Sequence, residues 1–434
     1  MGTIIATFLY TLFCVILFAF NSSVTRNKLN ALHIYLTIWV CMVILYNFKI
    51  ILYYDLSLWS WITLFLATGT VSMGYICGKR LKVVSKKHHV NRNKDATAEK
   101  RNLSSYILLL SGISMVAIVP NTMGLVNRYG INLLAKTTQI YYDNLNGVGT
   151  ATIPYVGFLS QAAVIFAGIY FVKYKYRHFL LIPMVLAVIN ILPSGSRGNL
   201  ILTVLFLIIP IVILSQKRKT GAICKSNIKL KKLVPLITAV VIVFTILSIN
   251  RAQGIQSSVF ANVSKYAVNM IENIPAIYKM YQYFTSPIGV LNAYLSQPEY
   301  SFASNTLGPL INQLNKFGAN FEYSRFQTFY NIPISANVGT WIRELIMDFY
   351  YPGMLIVVFI YSCLVGYKEH VAQITANDFD LFIATVYDTI LVMSFFVWYF
   401  REGFLWVILL TYCLLRFISR FSVGANQLNE TMRR

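Results

Sequence analysis

Residues 179–214 read FLLIPMVLAVINILPSGSRGNLILTVLFLIIPIVIL, two apolar runs separated by the polar turn 194–198. An apolar run of nearly 20 residues is about long enough for one helix to cross a lipid bilayer. A helix satisfies all of its own backbone hydrogen bonds, so it is the form in which such a run enters lipid. The stretch therefore predicts two membrane-spanning helices that meet at one membrane surface, with Arg197 in the turn between them.

The composition extends this pattern to the whole chain. Of the 434 residues, 57% are hydrophobic and only 12% are charged, and the mean hydropathy is +0.60. We expect an all-α, polytopic membrane protein with about eleven spans, and residues 1–434 forming one membrane domain. The first run has neither a basic start nor a small-residue cleavage site, so it is expected to be a retained span. The predicted spans are residues 3–20, 31–48, 57–77, 103–123, 151–172, 179–193, 199–214, 233–249, 353–367, 381–399 and 403–419.

Basic residues set the predicted orientation, because Lys and Arg collect in the cytoplasmic loops of membrane proteins. The loop 79–102 carries nine of them and is assigned to the cytoplasm. Alternation then places 26 of the 37 Lys and Arg residues in cytoplasmic segments. The N-terminus is expected outside and the C-terminus inside. This orientation leaves one large extracytoplasmic loop, residues 250–352.

The large loop is polar and aromatic, and parts of it show helical periodicity. Residues 260–284 space their apolar side chains as an amphipathic helix does. Ser286 followed by Pro287 predicts the start of another helix, because proline is favoured at a first helical position. We therefore expect short helices that lie on, or dip into, the outer leaflet.

Several classes of function are disfavoured by the sequence. The net charge of +22 is explained by cytoplasmic loops, so nucleic-acid binding is not expected. No glycine-rich nucleotide motif is present, and the cysteine spacings are not those of zinc sites. All five histidines fall at the predicted cytoplasmic side, which disfavours an outer Ser-His-Asp or histidine-metal site. No cofactor and no metal are expected, and a base for outer chemistry should be a carboxylate or a tyrosine.

Arg197 is placed on the side where cations are scarce. The turn precedes a span, so the backbone N–H groups and the dipole of a helix N-terminus favour an anion there. Arginine adds a bidentate donor for phosphate or carboxylate. Arg251 repeats the arrangement at another outer span end. The alternative for each arginine is an ordinary contact with a lipid headgroup.

A third outer arginine, Arg343, lies beside two carboxylates. Glu344 and Asp348 are four residues apart, so on a helix they share one face. Together the three residues offer a cation for phosphate and a carboxylate for a sugar hydroxyl. The alternative is the water-exposed end of an interfacial helix, whose charges pair with each other. With Arg197 and Arg251 on the same side of the membrane, the arrangement favours a diphosphate site.

Two further features, the tyrosines of the large loop and an acid within a span, each have a functional and an ordinary interpretation. The large loop is rich in tyrosine, including Tyr281, and such rings stack on sugars, although interfacial anchoring explains most of them. Asp388 falls inside a predicted span. An ionisable residue within the membrane is a candidate for function, and the alternative is a pairing with a neighbouring helix.

The chain resembles the O-antigen polymerase family, the Wzy-type polymerases of bacterial surface polysaccharides. The resemblance rests on about eleven spans with a large outer loop before the last three. It also rests on the Gly-Ser-Arg-Gly turn at 195–198, which opens a span. A second motif leads into a later span and comprises Asn337, Thr340, Asp348, Phe349 and Gly353. The family implies a fold similar to the GT-C membrane glycosyltransferases.

The resemblance implies a metal- and nucleotide-independent glycosyl transfer at the periplasmic face of the bacterial inner membrane. The glycan of one undecaprenyl-diphosphate-linked oligosaccharide moves to the non-reducing end of a second lipid-linked unit. By analogy, Arg197 and Arg251 bind the leaving diphosphate, with Arg325 or Arg343 as a third cation. Asp348 or Glu344 is the expected base, with Glu272 in reserve, and Asn337 and Tyr281 are expected sugar contacts. Membrane lipids and a chain-length-regulating co-polymerase are the expected partners.

Three other functions remain open at this point. An O-antigen ligase uses the same donor but passes the glycan to lipid A-core, usually with an outer histidine that this chain lacks. A lipid-linked oligosaccharide flippase should show paired repeats, short loops and charges in mid-span. The third is a transporter or channel for a small anion, with the outer arginines forming its vestibule. No internal repeat is detected, and the hundred-residue outer loop favours the enzyme.

Overall fold

The computed structural model describes residues 2–25, 29–83, 92–133, 135–145, 148, 153, 155–174, 177–191, 196–215, 238, 245, 263–321 and 327–432. In this part of the chain the regular structure is helical, apart from one short antiparallel ladder and an isolated antiparallel bridge between Ile51 and Val263. The helices are α1 (Gly2–Thr25), α2 (Ala31–Asn47), α3 (Leu58–Arg80), α4 (Arg92–Tyr129), α5 (Thr137–Leu145), α6 (Leu159–Lys173), α7 (Leu181–Ile191), α8 (Arg197–Ser215), α9 (Lys265–Asn273), α10 (Pro275–Ser296), α11 (Gly308–Lys316), α12 (Trp341–Thr375), α13 (Asp378–Val392) and α14 (Gly403–Met432). The ladder joins β1 (Tyr330–Asn331) to β2 (Ser335–Ala336).

Six of these helices are long and apolar enough to cross a membrane, which is consistent with a polytopic membrane protein. They are α1, α3, α6 with the turn before it, α8, α12, and the part of α4 from Glu99 to Tyr129. Shorter apolar helices lie at Ala31–Asn47, His178–Ile191 and Gly403–Ser419. Every predicted span that falls on described residues overlaps a helix, but the span predicted at 381–399 extends past the end of α13 at Val392, and the span predicted at 151–172 begins before α6 (Leu159–Lys173). The span expected at 233–249 lies outside the described residues, except for 238 and 245.

The closest helix pair is α3 with α12, and glycine explains the close approach. A Cβ built on Gly78 would lie 2.0 Å from the Cys363 carbonyl oxygen, and one on Gly366 would lie 2.1 Å from the Tyr75 carbonyl oxygen. Side chains of any size would separate the two backbones. Small residues at membrane helix interfaces allow such close packing, which replaces the hydrophobic driving force that lipid does not provide.

A sharp bend divides α12 into a short outer part and a long apolar part. Pro352 has no N–H to donate to the carbonyl four residues earlier, and Tyr350 adopts a left-handed φ of 59°. The carbonyl groups of Met347 and Asp348 instead accept hydrogen bonds from the N–H groups of Ser301 (2.8 Å) and Ala303 (3.3 Å). The bend therefore docks the segment around residues 301–306 of the large loop against the start of α12.

The sequence predicts the structure of the large loop only in part. Two helices, α9 and α10, cover most of the predicted amphipathic stretch, and α11 follows them. The predicted helix start at Ser286 and Pro287 is wrong, because both residues lie inside α10. Tertiary packing outweighs the missing proline hydrogen bond here. Both residues are buried, and Asn292 on the same helix accepts hydrogen bonds from the Ser57 N–H (2.9 Å) and the Ser60 hydroxyl (2.7 Å) at the start of α3.

The two ends of the bundle differ in their ionic contacts. At the predicted cytoplasmic end, Lys173 at the end of α6 pairs with Asp378 and with Glu99, each at 2.6 Å. The opposite end contains the first turns of α8, α12 and α14, which the sequence places outside. We call it the predicted outer end, and the candidate site lies there.

Candidate functional site

A cavity of about 210 Å³ lies at the predicted outer end, where three separate segments meet. The segments are the first turn of α8, the loop that leads into α12, and the connection between α13 and α14. The lining residues are mainly polar: Ser196, Gly198, Asn199, Gln327, Asn337, Val338, Phe396, Val397, Tyr399, Arg401 and Glu402. The cavity is smaller than the roughly 300–1,000 Å³ of typical ligand pockets. Its size suits the reacting groups of a larger molecule, with the rest of that molecule lying outside.

The first wall is the N-terminus of α8. The Ser196 hydroxyl accepts a hydrogen bond of 3.5 Å from the Asn199 N–H, which is a capping interaction. Arg197 lies between the lining residues Ser196 and Gly198, and its guanidinium carbon is 4.5 Å from the centre of the Tyr283 ring. A Cβ on Gly198 would lie 3.1 Å from the Phe396 ring and from the Tyr283 hydroxyl, so a side chain here would crowd both rings. The described end of the predicted anion-binding turn, residues 196–198, therefore borders the cavity.

Glu344 organises the wall behind the cavity and is itself completely buried. Its Oε1 accepts a hydrogen bond of 2.7 Å from Arg401 Nη1 and one from the Gln327 side-chain amide. Its Oε2 accepts one from the Trp398 N–H. The Gln327 side chain in turn accepts a bond of 3.2 Å from the Gly339 N–H. Glu344 thus joins three segments that line or border the cavity, because a buried carboxylate requires several donors.

Asp348 is also completely buried, and both of its oxygens accept two hydrogen bonds. The N–H and side-chain amide of Asn305 each donate to Oδ1 at 2.9 Å. The N–H and hydroxyl of Thr306 donate to Oδ2 at 2.6 and 2.7 Å. Asn305 also accepts a hydrogen bond of 3.0 Å from Arg401. Asp348 therefore fixes the turn that supports Arg401 at the cavity wall.

Arg343 lies directly behind the cavity rather than in its lining. It is buried, its Nη1 donates to the Asn337 carbonyl at 3.4 Å, and its Nη2 lies 4.0 Å from Glu344 Oε1. A Cβ on Gly339 would lie only 2.5 Å from Arg343 Nε. The close approach of the loop backbone to the guanidinium therefore depends on a glycine at position 339. Arg343 therefore fixes the backbone at Asn337, which does line the cavity.

The structure brings some of the predicted site residues together and leaves others apart. Asn337 lines the cavity, and Arg343 and Glu344 lie in the wall behind it, whereas Arg197 lies between two lining residues without lining the cavity itself. Glu272 is exposed on α9 and does not line the cavity. The Tyr281 hydroxyl donates to the Leu45 carbonyl at 2.7 Å, at the end of α2, and Tyr281 is likewise not a lining residue. The predicted residues Arg251 and Arg325 lie outside the described residues.

Sequence reasoning did not select two charged residues that line the cavity, Arg401 and Glu402. Both fall in the shortest predicted outer segment, residues 400–402, between two spans. The sequence signal for this pair was the presence of two adjacent charged residues in a predicted connection of only three residues. A connection this short places its side chains at the membrane surface, close to the ends of both helices.

Tyr399 also lines the cavity, and its side chain is almost completely buried. A phenol is protonated at neutral pH, so Tyr399 is a hydrogen-bond donor there and not a base. Glu402 is the one carboxylate among the described lining residues. The site combines a helix N-terminus, a buried cation, one carboxylate and several neutral hydrogen-bonding groups.

Among the described residues, no group of three or more His, Cys, Asp and Glu side chains is placed to hold a metal ion. Comparisons with known proteins found no matching family model, no matching curated protein and no matching solved structure. Membership of the O-antigen polymerase family therefore stays a prediction.

Proposed function

We propose that the protein is a membrane glycosyltransferase that polymerises lipid-linked oligosaccharide repeat units. The donor is a polyprenyl-diphosphate-linked glycan and the acceptor is a second lipid-linked unit. The observation that carries the proposal is the polar cavity at the predicted outer end. There Ser196 and Gly198, which flank Arg197 at the first turn of α8, line one space together with the buried Arg401 and the carboxylate of Glu402. These are the groups that departure of a diphosphate and attack by a sugar hydroxyl require.

The diphosphate would bind at the first turn of α8. The N-terminal N–H groups and the helix dipole attract anions, and Arg197 adds a guanidinium that the Tyr283 ring orients. Negative charge grows on the diphosphate as its bond to the anomeric carbon breaks. Fixed positive groups therefore stabilise the transition state more than the ground state.

Glu402 is the base that the geometry favours. The acceptor hydroxyl oxygen attacks the anomeric carbon, its proton passes to the Glu402 carboxylate, and the diphosphate leaves with the electron pair of the broken bond. Glu344 and Asp348, the expected bases, accept three and four hydrogen bonds from the protein and hold the wall. Neither of them lines the cavity. Their catalytic roles, and that of Glu272, stay predictions.

Neutral side chains would position the sugars. Asn199, Gln327 and Asn337 line the cavity with amide groups, and Tyr399 offers a phenol donor. Amides both donate and accept, so they match the alternating hydroxyl groups of a pyranose. The proposal includes a GT-C-like arrangement of about eleven spans in the bacterial inner membrane, with the cavity facing the periplasm.

The test is the surface polysaccharide of the source organism after deletion of the gene. We expect the multi-repeat ladder to disappear while a single-repeat band remains, and the wild-type gene to restore the ladder. An unchanged ladder overturns the proposal. Loss of every repeat-bearing band also overturns it, because a flippase or a ligase would produce that result.

Point variants then test the site. Complementation with Arg197→Ala or Glu402→Gln should reduce polymer by about 100-fold, the usual cost of one transition-state contact. The matched controls are Arg128→Ala and Glu299→Gln, which change the same residue types at the predicted outer end but outside the cavity lining. Immunoblots of membranes must show equal protein. Normal ladders from Arg197→Ala at equal protein level would remove the diphosphate site from the proposal.

A further inference from the structure

Helices α3, α12 and α13 enclose three charged side chains in the interior of the bundle. Lys79, Glu369 and Asp388 are at most 9% exposed. Glu369 Oε1 accepts hydrogen bonds of 2.8 Å from Lys79 Nζ and of 2.8 Å from the side-chain amide of Gln373. The other oxygen of Glu369 accepts a hydrogen bond from the Tyr75 hydroxyl. Both oxygens of the Glu369 carboxylate therefore accept hydrogen bonds, and the Lys79 ammonium group is its ionic partner.

Asp388 differs from Glu369 in its partners. It is 1% exposed, and within the described part of the chain nothing hydrogen-bonds to its Oδ1. The charged groups that act on it electrostatically are Glu369 and Lys79, and Lys79 is already hydrogen-bonded to Glu369. The Tyr75 hydroxyl, which also lies near Asp388, donates to Glu369 as well. The buried group therefore contains two acids, Glu369 and Asp388, and one ammonium group, that of Lys79.

Several other titratable groups on the helices around Asp388 have partners of their own. The Tyr361 hydroxyl donates to the Tyr387 carbonyl at 2.9 Å, and His33 hydrogen-bonds the Ser22 hydroxyl at 2.9 Å. Lys173 pairs with Asp378 at the first turn of α13. The others on these helices include Tyr35 and Tyr46 on α2, Tyr170 on α6, Arg197 on α8, Arg343, Glu344, Asp348, Tyr351, Tyr367, Lys368 and His370 on α12, Asp380 on α13, and Tyr412 and Arg416 on α14, and none of them is among the charged groups that act on Asp388. Lys79 is therefore the cation that the structure places beside Asp388.

The charge balance decides the protonation state. With both acids ionised, the group carries one uncompensated negative charge away from water. An isolated buried carboxylate is so unfavourable that it takes up a proton instead. With one proton bound, the group is neutral: one ammonium, one carboxylate and one carboxylic acid. The proton belongs on Asp388, because Glu369 already accepts three hydrogen bonds as a carboxylate.

We propose that Asp388 is the proton-binding residue of a buried one-proton site formed with Glu369, Lys79 and Tyr75. A lone pair of an Asp388 carboxylate oxygen bonds a proton delivered by hydronium, and no other bond in the protein changes. The half-exposed Gln373 donates to Glu369 and leads towards the predicted cytoplasmic end. Tyr361 packs against Trp398 with ring centres 5.2 Å apart, and the Trp398 N–H donates to Glu344 of the candidate site. The site is independent of the proposed glycosyl transfer.

Infrared spectroscopy of the full-length protein in lipid nanodiscs tests the site directly. A protonated carboxyl group has a C=O stretching band that a carboxylate lacks. At neutral pH we expect the wild type to show one such band per chain that Asp388→Asn removes. The matched control is Asp378→Asn, an acid on the same helix that pairs with Lys173; burial raises the pKa of Asp378 to about 6, so it is mostly ionised at neutral pH and should contribute little to the band. Identical acid bands in the wild type and Asp388→Asn would overturn the proposal.

Thermal stability and a second variant complete the experiment. Asparagine closely copies a neutral aspartic acid, so Asp388→Asn should keep the wild-type Tm, whereas Asp378→Asn should lower it by several degrees. An equal loss of Tm in both variants counts against a proton on Asp388. Glu369→Gln leaves Lys79 with Asp388 as its one acid, so Asp388 should ionise and the acid band should vanish. Persistence of the band in that variant also contradicts the proposal.

Discussion

Asp348 shows how one proline determines the role of a residue four positions before it. Pro352 cannot donate a hydrogen bond to the Asp348 carbonyl, which therefore binds the Ala303 N–H. The carboxylate of the same residue accepts four hydrogen bonds from Asn305 and Thr306. Backbone and side chain together hold one turn of the large loop. Asn305 of that turn contacts Arg401, a cavity residue.

We predict that Asp348→Asn destabilises the protein. One carboxylate oxygen becomes an NH₂ group facing two donors, so two hydrogen bonds to a charged group are lost. The loss should lower the free energy of unfolding by about 3 kcal/mol. It can be measured by thermal or denaturant unfolding in nanodiscs. Limited proteolysis should also show faster cleavage near residues 301–306.

The control for this variant is Asp55→Asn. Asp55 is a surface acid whose side chain is 72% exposed beside Lys49, and surface pairs contribute little to stability. Its substitution should leave the unfolding midpoint nearly unchanged. If Asp348→Asn abolishes polymer synthesis at wild-type stability, Asp348 acts in catalysis and not as the anchor described here.

The sequence predicted this cluster only in part. Arg343, Glu344 and Asp348 were recognisable because helical spacing puts the last two on one face. Their partners Asn305 and Trp398 lie 43 and 54 residues away along the chain. Local spacing carries no information on such distant contacts. For the same reason Arg401 and Glu402 became site residues only when the structure brought three segments together.

At the scale of helices, the crossing of α3 and α12 depends on a Gly-x-x-x-Gly pattern, Gly74 and Gly78. A Cβ on Gly74 would lie 2.5 Å from the Phe359 carbonyl oxygen, and one on Gly78 only 2.0 Å from the Cys363 carbonyl oxygen. Backbone atoms cannot rotate aside as side chains do. An added methyl group must therefore move one helix away from the other. The Lys79–Glu369 pair bridges the same two helices and would move with them.

We predict that Gly78→Ala lowers the free energy of unfolding by about 2 kcal/mol or more, the usual effect of overpacking a tight interior. The matched control is Gly112→Ala in α4, where a Cβ meets nothing within 4 Å. Alanine has the higher helix propensity, so this control should be neutral or stabilising by about 0.5–1 kcal/mol. Unfolding midpoints in nanodiscs compare the two. Equal stability of both variants would show that the crossing does not depend on Gly78.

Hydropathy predicted the helices well because lipid imposes the rule that a long apolar run forms a helix. The run at 57–77 corresponds to α3 (Leu58–Arg80), and the run at 199–214 corresponds to α8 (Arg197–Ser215). The rule is weaker in the large loop, where water can satisfy the backbone. There the proline signal at Ser286 and Pro287 wrongly predicted a helix start, because packing against α3 keeps α10 continuous.

For the whole molecule, the central expectation is the orientation in the membrane. Hydropathy defines which segments cross, but only the distribution of basic residues assigns a side to each end. The candidate cavity and the Lys173–Asp378 pair lie at opposite ends of the helices. A single orientation therefore decides both whether the cavity meets periplasmic substrates and whether the Asp388 group faces the cytoplasm.

We predict that Phe317→Cys is labelled from outside and Thr375→Cys only from inside. Phe317 is 89% exposed at the end of α11, and Thr375 is exposed at the end of α12. Each cysteine is introduced into a chain whose six native cysteines are replaced by serine or alanine. A membrane-impermeant maleimide should label Phe317→Cys in spheroplasts and reach Thr375→Cys only after the membrane is opened. The cysteine-free chain is the control for background labelling. The reverse pattern would place the cavity in the cytoplasm, where a polyprenyl-diphosphate donor waiting at the outer leaflet could not reach Arg197 or Glu402.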